Sequence, residues 1–436
     1  MTRIAPFGRA LAVAAAASLA LTACGGGGDS GTTASAPATD SAAPASSSAP
    51  AASKGDGTLT LGTLLPQTGS LAFLGPPEFA GVDLAVKEIN DAGGVLGKQV
   101  SVSHTDSGDT TTQIASQSVD SLLGKKVDAI IGAASSSVTL SVIDKITGAG
   151  VVQFSPANTS VELTTYKDNG LFWRTAPPDL LQGRVLGDLA VADGNDTVAI
   201  LAMQDSYGVG LADSTEAAVK AGGGEIVEKV IYDPKAADFS ADVAKVKAKN
   251  PKGIVLVGFD ETAKVIQELV KQGLTADKHK WYMVDGNLSN SNYTKFPENT
   301  LKGVKGTLPG AASPDAFQKK LLEINSKLTD FSYAPESYDA ANLIALAAEA
   351  AKSDAGPDIA SKLMEVSKGG EKCNDFKSCS ELMKAGKDID YEGVSGPVEF
   401  NEAGDPATAT IGIYEYGKKN TYPPKAVEYR TGNVAG

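Results

Sequence analysis

Three serines in a row, Ser135, Ser136 and Ser137, stand where the buried-looking run DAIIG gives way to a helical pattern starting at Val138. Hydroxyls and free backbone N–H groups at the positive end of a helix suit an anion such as a carboxylate. The same serines suit ordinary N-capping, and three of them leave room for both roles. Further along, WYMV is followed by Asp285, whose carboxylate can meet a cation. N–H and OH groups on one side of a cleft and a carboxylate on the other suit a zwitterion. Nothing comparable supports catalysis. The two histidines, His104 and His279, lie in a strand pattern and in the exposed run KHK, without a nucleophile at motif spacing. No GxSxG elbow occurs. GGVLGK lacks the leading Gly and trailing Ser/Thr of a P-loop, and YGVGLAD is not a full GxGxxG. The chain reads as not an enzyme, with no cofactor and no metal site expected.

The elements that must position these residues alternate from Thr58 onward. Strands are expected at LTLGTLL (Leu59–Leu65), QVSVSHT, DAIIG, VVQF, TVAILA, EIVEKVIY, GIVLVG, WYMV and ATIGIYEY (Ala409–Tyr416). Helical spacing covers Phe79, Val82, Val86 and Ile89, then residues 110–123, 138–146, 178–192, 210–221, 239–248 and 262–272. Further helices are expected at 314–328, 336–351 and 356–367. Strand–helix alternation at this spacing means an α/β fold of parallel sheets with helices on both faces. The break at Ala176-Pro177-Pro178 divides it into two doubly wound lobes. Ligands of such sheets bind at the carboxyl ends of the strands, where strand order reverses. There the sequence puts PQTGSLAFLG, the serine run, SPANTS (Ser155–Ser160), MQDSYG, Phe259-Asp260 and Asp285-Gly286-Asn287.

A chain of 436 residues is long enough for two sizeable cores. Its net charge of −13 argues against nucleic acid as a partner, because phosphate binding needs a basic surface. The start is basic at Arg3 and Arg9, then apolar over Leu11–Ala20, too short for an ordinary membrane span. It ends in LTAC, which resembles the lipobox of bacterial lipoproteins. That resemblance implies a signal peptide at 1–23, cleavage after Ala23 and lipid on Cys24. The alternative is a plain secretory signal with a chance cysteine. From Gly25 to Gly57 there is no Val, Leu, Ile, Met or aromatic residue, so residues 24–57 read as a lipidated cysteine and a disordered tether. Its reach is roughly 30 Å. Cys373 and Cys379 are expected to form a local disulfide in an exported protein. A metal site is the alternative, without a nearby His to complete it.

In order along the chain come LPQTGSLAFLGPPEFAGVDLAVKEINDAGGVLGKQV, IIGAASSSVTLSV, VVQFSPANTSVELT, FWRTAPPDLLQG and VAILAMQDSYGVGL. Together they resemble the type I periplasmic binding proteins of the leucine/isoleucine/valine-binding branch, which deliver ligands to ABC transporters. The resemblance implies two lobes joined by three hinge crossovers, near Pro177, Ala311 and Ile413, closing on the ligand by hinge motion. Lobe 1 would be 58–177 plus 311–412, and lobe 2 would be 178–310 plus 413–436. Carried over residue by residue, Ser136, beside Ser135, would hold the ligand carboxylate. The backbone carbonyl of Ala157 would accept from the ammonium, and Thr159 would contact the same end. Tyr207 would line the cleft. Phe259 stands where the family often has a second tyrosine, so that hydroxyl is missing. The family's ammonium-binding acid aligns at Gly286; Asp285, one position away, is the candidate, with Asp260 as the alternative. Leu74, beside Phe73, replaces an aromatic residue of the side-chain pocket.

These features imply a monomeric lipoprotein on the outer face of the bacterial cytoplasmic membrane. It would capture a small zwitterion, an apolar or branched-chain amino acid, and hand it to an ABC transporter permease. The alternatives are a ligand sensor or adaptor of the same fold, or a binder of an amide, urea-like or other small solute.

Overall fold

The computed structural model describes residues 55–434. The leader, Cys24 and most of the tether lie outside them. The elements β1 (Thr60–Leu65), α1 (Gly75–Asp91), β2 (Ser101–Asp106), α2 (Ile114–Gly124), β3 (Ala129–Gly132), α3 (Ser136–Gly148), β4 (Val152–Ser155) and β5 (Phe172–Arg174) build the first sheet. Its strands are parallel, in the order β2-β1-β3-β4-β5. Strands β3 and β4 are buried along their whole length. Helices cover both faces of such a sheet, so its inner strands read as continuous apolar runs rather than alternating ones.

The second half repeats the plan. Here α4 (Asp179–Ala192), β6 (Thr197–Met203), α5 (Ser206–Ala221), β7 (Glu225–Tyr232), α6 (Ser240–Lys249), β8 (Gly253–Val257), α7 (Thr262–Lys271), β9 (Lys280–Val284) and β10 (Lys305–Pro309) give the strand order β7-β6-β8-β9-β10. Each sheet therefore has its reversal point beside its first strand. The chain then returns to the first half with α8 (Asp315–Ile324), α9 (Ala334–Ala351), α10 (Gly356–Val366), β11 (Glu371–Cys373), α11 (Phe376–Lys384), β12 (Ile389–Gly393) and β13 (Gly396–Pro397). It ends in β14 (Thr408–Glu415) and β15 (Glu428–Asn433), which extend the second sheet antiparallel beyond β10.

Helix α9 organises the first lobe. It is buried from Ala334 to Ala348 and packs on α1 and α10. Leu343, Ile344 and Leu346 are fully buried there, worth about 1.5–3 kcal/mol each. Gly81 permits the close approach of α1: a Cβ at that position would stand 2.3 Å from the Ala334 carbonyl oxygen.

Ile413, expected near the third crossover and within a strand, lies inside β14, which pairs with β15 from Thr408 and with Pro309–Lys305 from Ile411. Other expectations shift. Helix α5 starts at Ser206 rather than Gly210, because the Asp205 side chain accepts from the Gly208 N–H at 2.7 Å and caps it. Tyr207 thus sits in a helical first turn, not in a loop. Helix α8 stops at Ile324, short of the expected Leu328. Cys373 and Cys379 are joined in a disulfide that links β11 to α11, with Cα atoms 5.3 Å apart.

Candidate functional site

The first lobe offers a bracket made by β3–α3 and β4. Ser135 caps α3, its Oγ accepting from the Val138 N–H. The Ser136 Oγ accepts from the Thr159 N–H at 3.3 Å and the Ser160 N–H at 3.2 Å, which leaves its own proton to donate. Ser155 donates to the Ala133 carbonyl at 2.7 Å and accepts from the Ala157 and Asn158 N–H groups. The Asn158 amide donates to the Ala133 and Ala134 carbonyls. SPANTS is therefore tied to the serine run by its less obvious members. Behind it, the fully buried Arg174 donates to the Ser160 and Asn158 carbonyls and to Asp405. With those two carbonyls occupied, the Ala157 carbonyl accepts no hydrogen bond among the described residues.

The second lobe offers a carboxylate. Asp285, in the turn after β9, is 5 % exposed. It accepts from the Tyr207 hydroxyl at 2.9 Å, the Gln182 amide at 2.8 Å and the Tyr333 hydroxyl at 2.6 Å. Burial pushes its carboxyl above the usual range, and these three donors hold it partly down. All three are neutral, so an ionised Asp285 keeps its negative charge. Phe259 stacks on Tyr207 at 5.4 Å. Nearby Asp179, at the start of α4, is fully buried beside the Thr159 hydroxyl, which holds its carboxyl partly down. Burial first, and the Asp285 charge second, push its carboxyl well up.

The structure brings all eight sequence-predicted residues to one cavity: Leu74, Ser135, Ser136, Ala157, Thr159, Tyr207, Phe259 and Asp285. Asp260, the alternative to Asp285, is exposed and does not border it. Leu71 and Tyr333 also line it and were not anticipated. Tyr333 has a left-handed backbone, φ 59°, at the N-cap of α9. No sequence pattern announces such a conformation for tyrosine, though strained backbone of this kind gathers at functional sites. Gln182 is one amide on a buried helix, with no signal to mark it. The lobes enclose only about 10 Å³ here, the room of roughly one water molecule. They are also latched: Ser137 donates to Asp205 and meets Ser206, each at 3.0 Å. Access for an amino-acid-sized ligand therefore requires the lobes to part.

Comparison with known proteins agrees with this architecture. Residues 58–421 match the family described as periplasmic binding protein. A leucine-, isoleucine-, valine-, threonine-, and alanine-binding protein of Pseudomonas aeruginosa is 26 % identical over 371 residues, covering 84 % of this chain and 91 % of its own. A Leu/Ile/Val-binding protein homolog of Brucella melitensis is 28 % identical over 375 residues, covering 84 % and 93 %. Among solved structures, the substrate binding protein LivJ from Streptococcus pneumoniae in complex with isoleucine superposes with a TM-score of 0.70. It is 24 % identical, covering 86 % of this chain and 99 % of its own. A solute binding protein from R. palustris in complex with 4-hydroxybenzoate gives a TM-score of 0.71 at 18 % identity, covering 86 % and 97 %. The chain therefore belongs to the periplasmic binding protein family, extracytoplasmic binding proteins that are not enzymes, and has the two-lobed type I fold of the solved substrate-binding proteins.

Proposed function

We propose that the cleft captures a small zwitterionic amino acid with an apolar side chain and that the protein hands it to a permease. One observation carries the ligand class: hydroxyl and backbone groups of the first lobe face a buried carboxylate, Asp285, across a cavity otherwise walled by Leu71, Leu74, Phe259 and tyrosines. Ser136 and Thr159 hold the carboxylate end. The Ala157 carbonyl and Asp285 hold the ammonium. A plain aromatic carboxylate, such as the one bound by the R. palustris neighbour, would bring no cation to Asp285. The names of the relatives point the same way, toward aliphatic amino acids.

A ligand that binds only the folded, closing form raises the melting temperature. In a thermal-shift screen of residues 56–436, aliphatic amino acids are expected to give the rise. Benzoates, amides, sugars and polyamines serve as comparators. A clear rise with benzoate and none with any amino acid would overturn the zwitterion. Ser136→Ala is expected to cost about 1–3 kcal/mol of affinity, because it removes a donor and strands two buried N–H groups.

Delivery rests on the leader. A lipidated Cys24 with a tether of small and polar residues would hold a monomeric receptor near a permease in the same membrane. Wild-type protein is then expected in the membrane fraction and Cys24→Ala in the soluble fraction. Membrane retention of the variant would remove the anchor from this reading.

A further inference from the structure

A second cavity, of about 280 Å³, lies in the hinge, apart from the cleft. Pro309 at the end of β10 and Tyr414 on β14 wall it from the second sheet, and Gln318 on α8 and Glu336 on α9 from the first lobe. It shares a single residue with the cleft, Tyr333, whose hydroxyl holds Asp285.

Its chemistry has one sign. No lysine, arginine or histidine borders it, while two carboxylates do, Glu336 and Asp330. Asp330 is occupied by Ser332 and by the Tyr422 hydroxyl. Glu336 is different: it is 2 % exposed, its carboxyl group has only its own backbone N–H as a donor, and burial pushes that carboxyl well up. A Cβ on Gly310, in the hinge, would stand 2.6 Å from its Oε1, so the carboxyl group points at the crossover. Glu78 on α1 is also fully buried, with neither oxygen partnered; burial first, and the Glu336 charge second, push its carboxyl well up. An isolated buried carboxylate is costly, and a cation seated in the cavity would relieve that cost.

The walls decide which cation. Tyr414, Tyr422 and Phe331 present aromatic surface, which attracts an organic ammonium. A metal ion is poorly served, since no three His, Cys, Asp or Glu side chains converge on a metal-binding geometry among the described residues. We propose that this hinge cavity binds a small organic ammonium ion as a second ligand, between the Glu336 carboxylate and the tyrosine walls. Because both lobes wall the cavity and Tyr333 also borders the cleft, its occupant couples to closure.

The test uses the full chain with butylammonium, tetramethylammonium and putrescine as probes, and butanol and sodium chloride at matched concentration as controls. At least one ammonium probe is expected to raise the melting temperature saturably, and the controls are not. By calorimetry, Glu336→Gln is expected to weaken that binding at least tenfold. So is Gln318→Lys, which supplies a tethered ammonium from the cavity wall. Asp285→Asn is expected to change it far less than Glu336→Gln does, acting only through Tyr333. An absence of any ammonium-specific rise would overturn the proposal. So would binding that Asp285→Asn abolishes and Glu336→Gln spares, since the cation would then sit in the cleft. If Glu336→Gln does not fold, Gln318→Lys decides alone, and undiminished binding in that variant overturns the proposal.

Discussion

Asp285→Asn is expected to weaken amino-acid binding by about 2–4 kcal/mol, a factor of roughly 30–1,000. The side chain keeps its size but loses its charge. Its amide also brings a donor to a site where Tyr207, Tyr333 and Gln182 already donate. At least one of those buried groups then loses its acceptor, which adds to the cost. The pH dependence separates a charge effect from a packing effect. Burial places the Asp285 carboxyl above its ordinary range. In the ligand-free protein its contribution to stability is therefore fully present below the unfolded pKa and is lost as pH rises through the folded one. Ligand affinity runs the opposite way, because the ammonium needs the ionised form. Acidification through that window is expected to raise the melting temperature of the ligand-free protein while lowering its affinity. Asp285→Asn should abolish the affinity trend. Calorimetry across that window checks both, and wild-type affinity in the variant would remove Asp285 from the site.

Much of this was legible because it rests on periodicity. A buried parallel strand must be an apolar run, and the helix after it must carry an apolar face. Thus β3, β4, β8 and β9 announce themselves as AIIG, VQF, GIVLV and WYMV. Placing loops at the carboxyl ends of those strands sets the serine run, SPANTS and Asp285 at one end of the sheets; the family resemblance singled out Ser136 and Ala157 among them, and all three line one cavity. The strands without such a pattern were missed. β10 reads KGTLP, with Gly and Pro in five residues, and the edge strand β15 reads EYRTGN, polar throughout. Each is fixed by a neighbouring strand, which local sequence does not contain. The site shows the same division. Residues that follow a strand directly were found. Tyr333 arrives from a loop after α8, and Gln182 from the middle of a buried face, so only tertiary structure brings them to Asp285.

Arg174 went unremarked for the same reason, and its replacement is expected to have the largest effect on stability. It ends β5, is completely buried, and its Nε lies 2.6 Å from Asp405, itself 2 % exposed in the segment leading to β14. Two further donations go to the Asn158 and Ser160 carbonyls, and one to Thr164. Arg174→Met strips the charge partner from Asp405, leaving it the Thr164 hydroxyl, and leaves the Ser160 carbonyl only the Leu163 N–H and the Asn158 carbonyl no partner. The expected loss is about 3–5 kcal/mol in urea unfolding. A stability equal to wild type would mean that water replaces the guanidinium. Adding Asp405→Leu removes the stranded charge, so the double variant should recover most of the stability, since apolar side chains can substitute for a buried ion pair. It should not recover affinity. The Asn158 and Ser160 carbonyls would still lack the donor that fixes their direction, and the Ala157 carbonyl, one residue before Asn158, would no longer be held in place. Stability restored without binding would identify Arg174 as the residue that positions the bracket. Restoration of both would reduce it to a charge partner of Asp405.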